Sequence, residues 1–327
     1  MGFLLWFTLL SKVLCTDLSL YDRDLVVNKV TSKQILDNHL IFSNLTQHEK
    51  SFNGITLAYV TPWNNRGYDI AKWFKGKFTH IAPVWFTVKP ERDSYSITGG
   101  HDADPEWIHD IRSNGGAKVT PRFRLDGFEE DDFRKLIEEH AQAKTLVDLI
   151  VNEIEKHLLD GCVIESSLAP QFLEGFFDLL HQKIHSKPNR YLFLAIYPKH
   201  TYYQQEFITA DNIKLLEPLV DGFSLMTYDY SRGAGPNAPI EWIEDNVKHL
   251  DPEGLYRAKI LIGLNMYGYG FIGDEGSVLT GSQYLQIVER YDPEFEWDDD
   301  AQEHEFTYKA SSGSFVRVFY PTLKVIP

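Results

Sequence analysis

The chain has 327 residues, of which 43% are hydrophobic and 14% aromatic, and it carries a formal net charge of -15. That is enough apolar material for a sizeable core and too much for a disordered chain. With no block of Lys or Arg, so acidic a composition argues against nucleic acid or an anionic bilayer as main partner, since both are bound through clustered positive charge, and it favours a neutral or cationic ligand.

Residues 1–16 read as a secretory signal peptide. The run Phe3-Leu4-Leu5-Trp6-Phe7-Thr8-Leu9-Leu10 is followed by Lys12 and small or polar residues, and it is shorter than the roughly 20 apolar residues of a bilayer span. Residues 17–53 form an N-terminal extension, in which Asn44-Leu45-Thr46 is an N-glycosylation pattern in keeping with secretion. Cys15 and Cys162 are the only cysteines. Loss of Cys15 with the signal peptide leaves no internal disulfide and a fold held by its core, with Cys162 packed as a small apolar residue.

From Gly54 onward a rhythm sets in. Runs rich in β-branched and aromatic residues recur at Gly54–Thr61, Phe78–Phe86, Ala117–Arg124, Leu159–Glu165, Arg190–Tyr197, Val220–Tyr228 and Lys259–Met266, each predicting a strand, with gaps long enough for crossover helices. Helical stripes fill the gaps. Leu146, Ile150, Ile154 and Leu158 repeat every four residues, and Phe172, Phe176, Leu179, Leu180 and Ile184 share one face. Ile240, Ile243, Val247 and Leu250 make a third stripe, with Pro239 placed for a first turn. The alternation predicts a parallel sheet with right-handed crossovers. Pattern alone leaves a barrel and a doubly wound sheet both open, although no G-x-G-x-x-G follows the first strand. Beyond the seventh strand a helix is expected over Ser282–Arg290, then a hairpin of Glu305–Lys309 and Phe315–Tyr320 around Ala310-Ser311-Ser312-Gly313, with Gly where positive φ is needed.

The segment Leu159-Asp160-Gly161-Cys162-Val163-Ile164-Glu165-Ser166-Ser167 resembles the acid-bearing fourth strand of family 18 glycoside hydrolases, the chitinase family, which reads D-G-x-D-x-D-x-E. Asp160 and Gly161 match. Val163 and Glu165 stand at the two inner Asp positions, and Ser167 stands where the family has its catalytic Glu. Other segments resemble the family in barrel order: Ile55 to Trp63 the first strand with its aromatic tip, Phe78 to Phe86 the second, Asp221 to Asp229 the sixth with its M-x-Y-D motif, and Lys259 to Gly268 the seventh. The third strand, Lys118 to Arg124, departs by lacking S-x-G-G.

The resemblance runs from Gly54 to Leu323 and implies an α/β fold of (β/α)8 TIM-barrel type over residues 54–327. It also implies truncation before the eighth strand, because no residues follow the hairpin to supply another helix and strand. Trp63, Trp85, Glu165, Met226, Tyr228, Asp229, Asn265 and Tyr267 are then implied to bind substrate at the carboxyl ends of the strands, where barrel sites form. Each aromatic residue alone would be ordinary core material; their shared location argues for a sugar groove, which needs flat apolar platforms and a few fixed polar groups.

Catalysis is another matter. A serine of ordinary acidity cannot serve as general acid near neutral pH, and Glu165, two residues earlier, lies about 6.6 Å deeper along the strand. His80 and His304, as solitary histidines, read as structural. No metal-ligand spacing or phosphate-cradling loop is present, so no cofactor is expected. The resemblance thus implies a catalytically inactive lectin for oligosaccharides, of the N-acetylglucosamine-containing or glycolipid class, secreted or lysosomal, with a scavenger-type sorting receptor as partner. The alternatives are a glycoside hydrolase with displaced catalytic residues and a receptor-binding protein whose groove is vestigial.

Overall fold

In a computed structural model, the described residues are 14–16, 18–43, 45–92, 94–200, 202 and 206–325. Most of the expected signal segment, residues 1–13, and the expected glycosylation site Asn44 lie outside them. The chain divides into two compact units, one of His48–Tyr230 with Asn237–Asn265 and the other of Met1–Gln47, Ser231–Pro236 and Met266–Pro327.

The first unit is the α/β barrel-type part. Its strands are β1 Leu57–Val60, β2 His80–Pro83, β3 Phe86–Pro90, β4 Tyr95–Thr98, β5 Lys118–Val119, β6 Arg122–Leu125, β7 Gly161–Ser166, β8 Tyr191–Ile196, β9 Gly222–Leu225 and β10 Ile260–Ile262. They form two ladders, β1-β2-β5 and β10-β9-β8-β7-β6-β3, parallel throughout, with β4 added antiparallel on β3. The predicted second and third strands are each split in two. Val84-Trp85 separates β2 from β3, and Thr120-Pro121 separates β5 from β6, where proline has no N–H to give the ladder. Backbone bonds carry the succession across the breaks, Val84 N–H to Val60 O at 2.8 Å and Val163 N–H to Pro121 O at 2.9 Å. The seven expected strand positions therefore follow one another in chain order. Among the described residues β1 and β10 do not pair with each other, so no closed ring of strands forms.

Among its described residues seven α-helices flank the strands: α1 Asn65–Trp73, α2 Pro105–Arg112, α3 Glu130–Glu138, α4 His140–Lys156, α5 Glu174–Ile184, α6 Ala210–Leu216 and α7 Ile240–Leu250. Their predicted stripes are the buried faces along most of their length, but Leu158 and Phe172, at the ends of two of them, are exposed. Leu146, Ile150 and Ile154 of α4 and Phe177 and Leu180 of α5 are fully covered. They pack on the outward side chains of the strands, among them Phe123, Cys162, Ile164, Leu192, Leu194, Phe223 and Leu225. Burial in this layer pushes the Cys162 thiol far up, so it stays protonated and inert. The alternate residues point the other way. Ala82, Val163, Phe193 and Ala195 form a separate inner cluster with Leu57, Met226 and Leu261, as a side-chain period of two requires.

The two D-G pairs are register pins. Asp160 Oδ2 accepts the Val119 N–H at 2.8 Å and Arg112 Nε at 2.9 Å. Asp221 Oδ2 accepts the Leu192 N–H at 2.7 Å and lies 3.1 Å from His185 Nε2. Each aspartate's own N–H returns to the carbonyl of the same residue, Val119 or Leu192. Gly161 follows at φ +136, and a Cβ there would lie 1.9 Å from the Tyr191 carbonyl oxygen, so only glycine fits.

In the second unit, Leu14–Thr16 pairs parallel with Ile41–Ser43. A five-stranded antiparallel sheet runs in the order Glu275–Leu279, Gly268–Ile272, Phe315–Phe319, Glu303–Lys309, Glu296–Asp298. The expected hairpin, with Gly313 at φ +90, is the middle of this larger sheet. The helix Gly281–Tyr291 opens on a capping box of Thr280 and Gln283 and buries Tyr284 and Val288 against Leu279, Phe306, Val316 and Val318. His304 is enclosed here, Nδ1 at 2.8 Å from Thr322 Oγ1 and Nε2 at 2.9 Å from Asn28 O. Both ring nitrogens have structural partners.

Candidate functional site

Toward the carboxyl ends of the strands the inner face turns from apolar to polar. Below lies the cluster around Val163 and Phe193; above it stand Tyr59 of β1, Arg122 of β6, Glu165 of β7, Tyr197 just past β8, Ser224 of β9 and Tyr228 just past β9. Arg122 Nη1 donates to Glu165 Oε2 at 2.8 Å, and Arg124 Nε lies 3.8 Å from Oε1. The Tyr197 hydroxyl donates to the same Oε1 at 3.4 Å. On the other side the Tyr59 hydroxyl donates to Ser224 Oγ at 2.9 Å. Arg122 Nε is buried without a hydrogen-bond partner among the described residues.

Desolvation dominates the acidities. It raises the Tyr59 phenol to about 12 against the opposing bond from Ser224, with the Glu165 charge adding to the rise. It raises Tyr228 further, helped by Tyr59, Asp229 and Glu165, and Tyr197 in the same direction. All three phenols therefore remain hydrogen-bond donors at neutral pH.

Local sequence explains Tyr228. A Cβ on Gly263 would lie 2.6 Å from Leu225 O and 2.8 Å from the Tyr228 ring, so the glycine makes the space the ring occupies. Thr227 Oγ1 holds the two segments together, donating to Gly263 O and accepting from Gly263 N, both at 3.0 Å. Asp229 then turns to φ +60, its N–H donating to Asn237 Oδ1 at 2.7 Å and its side chain exposed. Aspartate tolerates this left-handed conformation better than most residues.

The residues implied by resemblance do not all meet. Glu165, Met226 and Tyr228 face the inner space of the barrel-type unit, and Asp229 follows at its rim. Trp63 is 77% exposed just past β1. Asn265 is buried as the last residue of this unit, whereas Tyr267 falls in the second unit. Trp85 does not offer a platform. It is only 4% exposed, its indole N–H donates to the Tyr68 hydroxyl at 2.8 Å, and its ring packs edge-on against Trp107 at 5.8 Å. The break between β2 and β3 places it in the core with residues of α1 and α2. Ser167 is exposed immediately beyond the end of β7. Sequence reasoning missed Tyr59, Arg122, Tyr197 and Ser224. Alternation along the first, fifth and sixth strands points to Tyr59, Tyr197 and Ser224; Pro121 interrupts the phase and hides Arg122.

The profile of Glycosyl hydrolases family 18 matches residues 55–326. The chain belongs to this family. Three solved structures of the same fold are a chitinase of Chromobacterium violaceum (18% identity, TM-score 0.70, covering 84% of this chain and 88% of that one), the chitinase of Cycas revoluta in complex with (GlcNAc)3 (15%, TM-score 0.67, 83% and 89%), and the spore cortex-lytic enzyme SleL of Bacillus cereus (18%, TM-score 0.65, 84% and 66%). In this family 18 chain, no group of three or more His, Cys, Asp or Glu among the described residues is arranged to hold a metal ion. No helix among them is long and apolar enough to cross a membrane.

Proposed function

We propose that this family 18 chain binds oligosaccharides of the N-acetylglucosamine class without cleaving them. The observation that carries the proposal is the clamp on Glu165. The inward carboxylate nearest the place of a catalytic acid accepts from the Arg122 guanidinium at 2.8 Å and from the Tyr197 hydroxyl at 3.4 Å, so both its oxygens are engaged within the protein rather than presented to a glycosidic oxygen. Ser167, at the position of the family acid by resemblance, has no proton of suitable acidity to give. The hydroxyl oxygens of Tyr59 and Tyr197, whose own protons go to Ser224 and Glu165, stand as acceptors beside Tyr228 and exposed Asp229 for sugar hydroxyls and amides. Within the family the chain resembles chitinase domain-containing protein 1, the stabilin-1-interacting chitinase-like protein. That resemblance adds secretion or lysosomal delivery and a scavenger-type sorting receptor to the proposal.

Titration calorimetry with (GlcNAc)4, followed by chromatography of the same mixture, tests both halves. Binding with the tetramer recovered intact is expected. Products that form with wild type and vanish in Glu165→Gln would establish a hydrolase with displaced chemistry instead; no binding at all would leave a vestigial groove.

A further inference from the structure

We propose that a second cleft, in the barrel-type unit but apart from the Glu165 cluster, binds an organic ammonium group. It is a depression of about 330 Å³ lined by Pro62, Asn65, Tyr68, Asp102, Asp104 and Trp107, within the roughly 300–1,000 Å³ typical of small-molecule sites. None of these residues takes part in the cluster around Glu165.

The walls are aromatic and held in place. Tyr68 of α1 and Trp107 of α2 meet edge to face, with ring centroids 5.1 Å apart and planes at 66°. Trp107 Nε1 donates to Tyr68 O at 3.1 Å, and Trp85 Nε1 donates to the Tyr68 hydroxyl at 2.8 Å. The corner is thus built before any ligand arrives. The rim is anionic. Asp104 Oδ1 caps α2 by accepting the Glu106 N–H at 2.9 Å, which leaves its second oxygen for other contacts. Among the described residues the Asp102 carboxylate has an ion-pair partner only in His101 Nε2 at 3.6 Å, from a side chain that is itself 82% exposed. No Lys or Arg lines the cleft. Its position follows from Gly99, whose φ of +98 and 1.8 Å approach of the Trp85 carbonyl to a would-be Cβ force the chain to turn into Gly100–Asp102.

Two carboxylates beside the half-buried Tyr68 ring, with no Lys or Arg in the lining, attract a positive charge that also has apolar skin; the Trp107 ring, only 6% exposed, braces Tyr68 rather than offering a face of its own. A bare divalent ion fits less well, because it demands six or more oxygen ligands, and the lining offers two carboxylates set against hydrocarbon.

The test follows the Trp107 indole NH resonance of the full chain during titration with choline, ethanolamine and 3,3-dimethylbutan-1-ol, the uncharged isostere of choline. The ammonium probes are expected to shift it saturably and the isostere not. Asp102→Asn is expected to weaken choline by about tenfold, as loss of one close charge does, and Asn65→Lys, which supplies an internal ammonium, to abolish the response. Vesicles of phosphatidylcholine that sediment wild type but not Asp102→Asn would assign the ammonium to a lipid headgroup; a response to free choline alone would assign it to a soluble ligand. An equal response to the isostere, an unchanged affinity in Asp102→Asn, or no shift with either ammonium probe would overturn the proposal.

Discussion

Arg122 and Glu165 stand on neighbouring parallel strands with Arg122 Nη1 2.8 Å from Glu165 Oε2, and their side chains are only 19% and 11% exposed. A pair so covered is costly to desolvate and costlier to break, because removing one partner strands the other charge. Arg122→Met is expected to destabilise the fold by about 3 kcal/mol, whereas adding Glu165→Leu to it restores much of the loss. Urea unfolding of wild type, single and double variants checks this. A double variant no more stable than the single one would show that the pair matters through packing rather than charge.

Acid sensitivity is expected from His80. Its ring packs edge-on against Tyr191 and Phe193 at 4.6 and 4.7 Å. Burial first, and the Lys118 charge second, lower it to about 3. An unfolded imidazole titrates near 6.5. Between about 6.5 and about 3 the unfolded chain therefore binds more protons, and stability falls as pH drops through that window by up to about 1.4 kcal/mol per pH unit. His304, lowered mainly by burial, acts in the same direction. Thermal unfolding at pH 7 and pH 4.5 is expected to show a lower midpoint in acid and a smaller difference in His80→Phe, which keeps an aromatic ring without the ionisable group.

The Asp160 pin gives a third expectation. Asp160→Ala leaves the Val119 N–H and the Arg112 guanidinium without their carboxylate, at a cost of about 2 kcal/mol. Asp160→Asn retains an acceptor for the backbone bond and is expected to cost less. Denaturant midpoints separate the two, and equal losses would mean that the charge on Arg112 is what matters.

For ligand binding, Asp229→Asn is the informative change, since asparagine keeps the φ of +60 while removing the charge. Weakening of (GlcNAc)4 by about 1 kcal/mol, with unaltered circular dichroism, is expected if the carboxylate accepts from the sugar. Gly263→Ala, which drives a methyl into the space of the Tyr228 ring, is expected to weaken binding more and to lower stability as well. Unchanged affinity in both would remove the rim of β9 from the site.

Much was legible in the order of residues because it is written in local patterns. The strand runs alternate with period two, the helical stripes repeat every three or four residues, and D-G and M-x-Y-D mark strand beginnings and ends. These are properties of one segment at a time, so neighbours in sequence carry them. Tertiary structure decided the rest. That Trp85 is a core side chain, that Arg122 clamps Glu165 from 43 positions away, that Tyr59 reaches Ser224, and that Tyr267 belongs to the second unit all depend on which distant segments share a ladder or a layer. A Trp at a strand end reads the same whether its ring meets water or another indole. Only the chain's path through Val84 and Trp85, turning one side chain into the layer of α1 and α2, distinguishes a platform from a core residue.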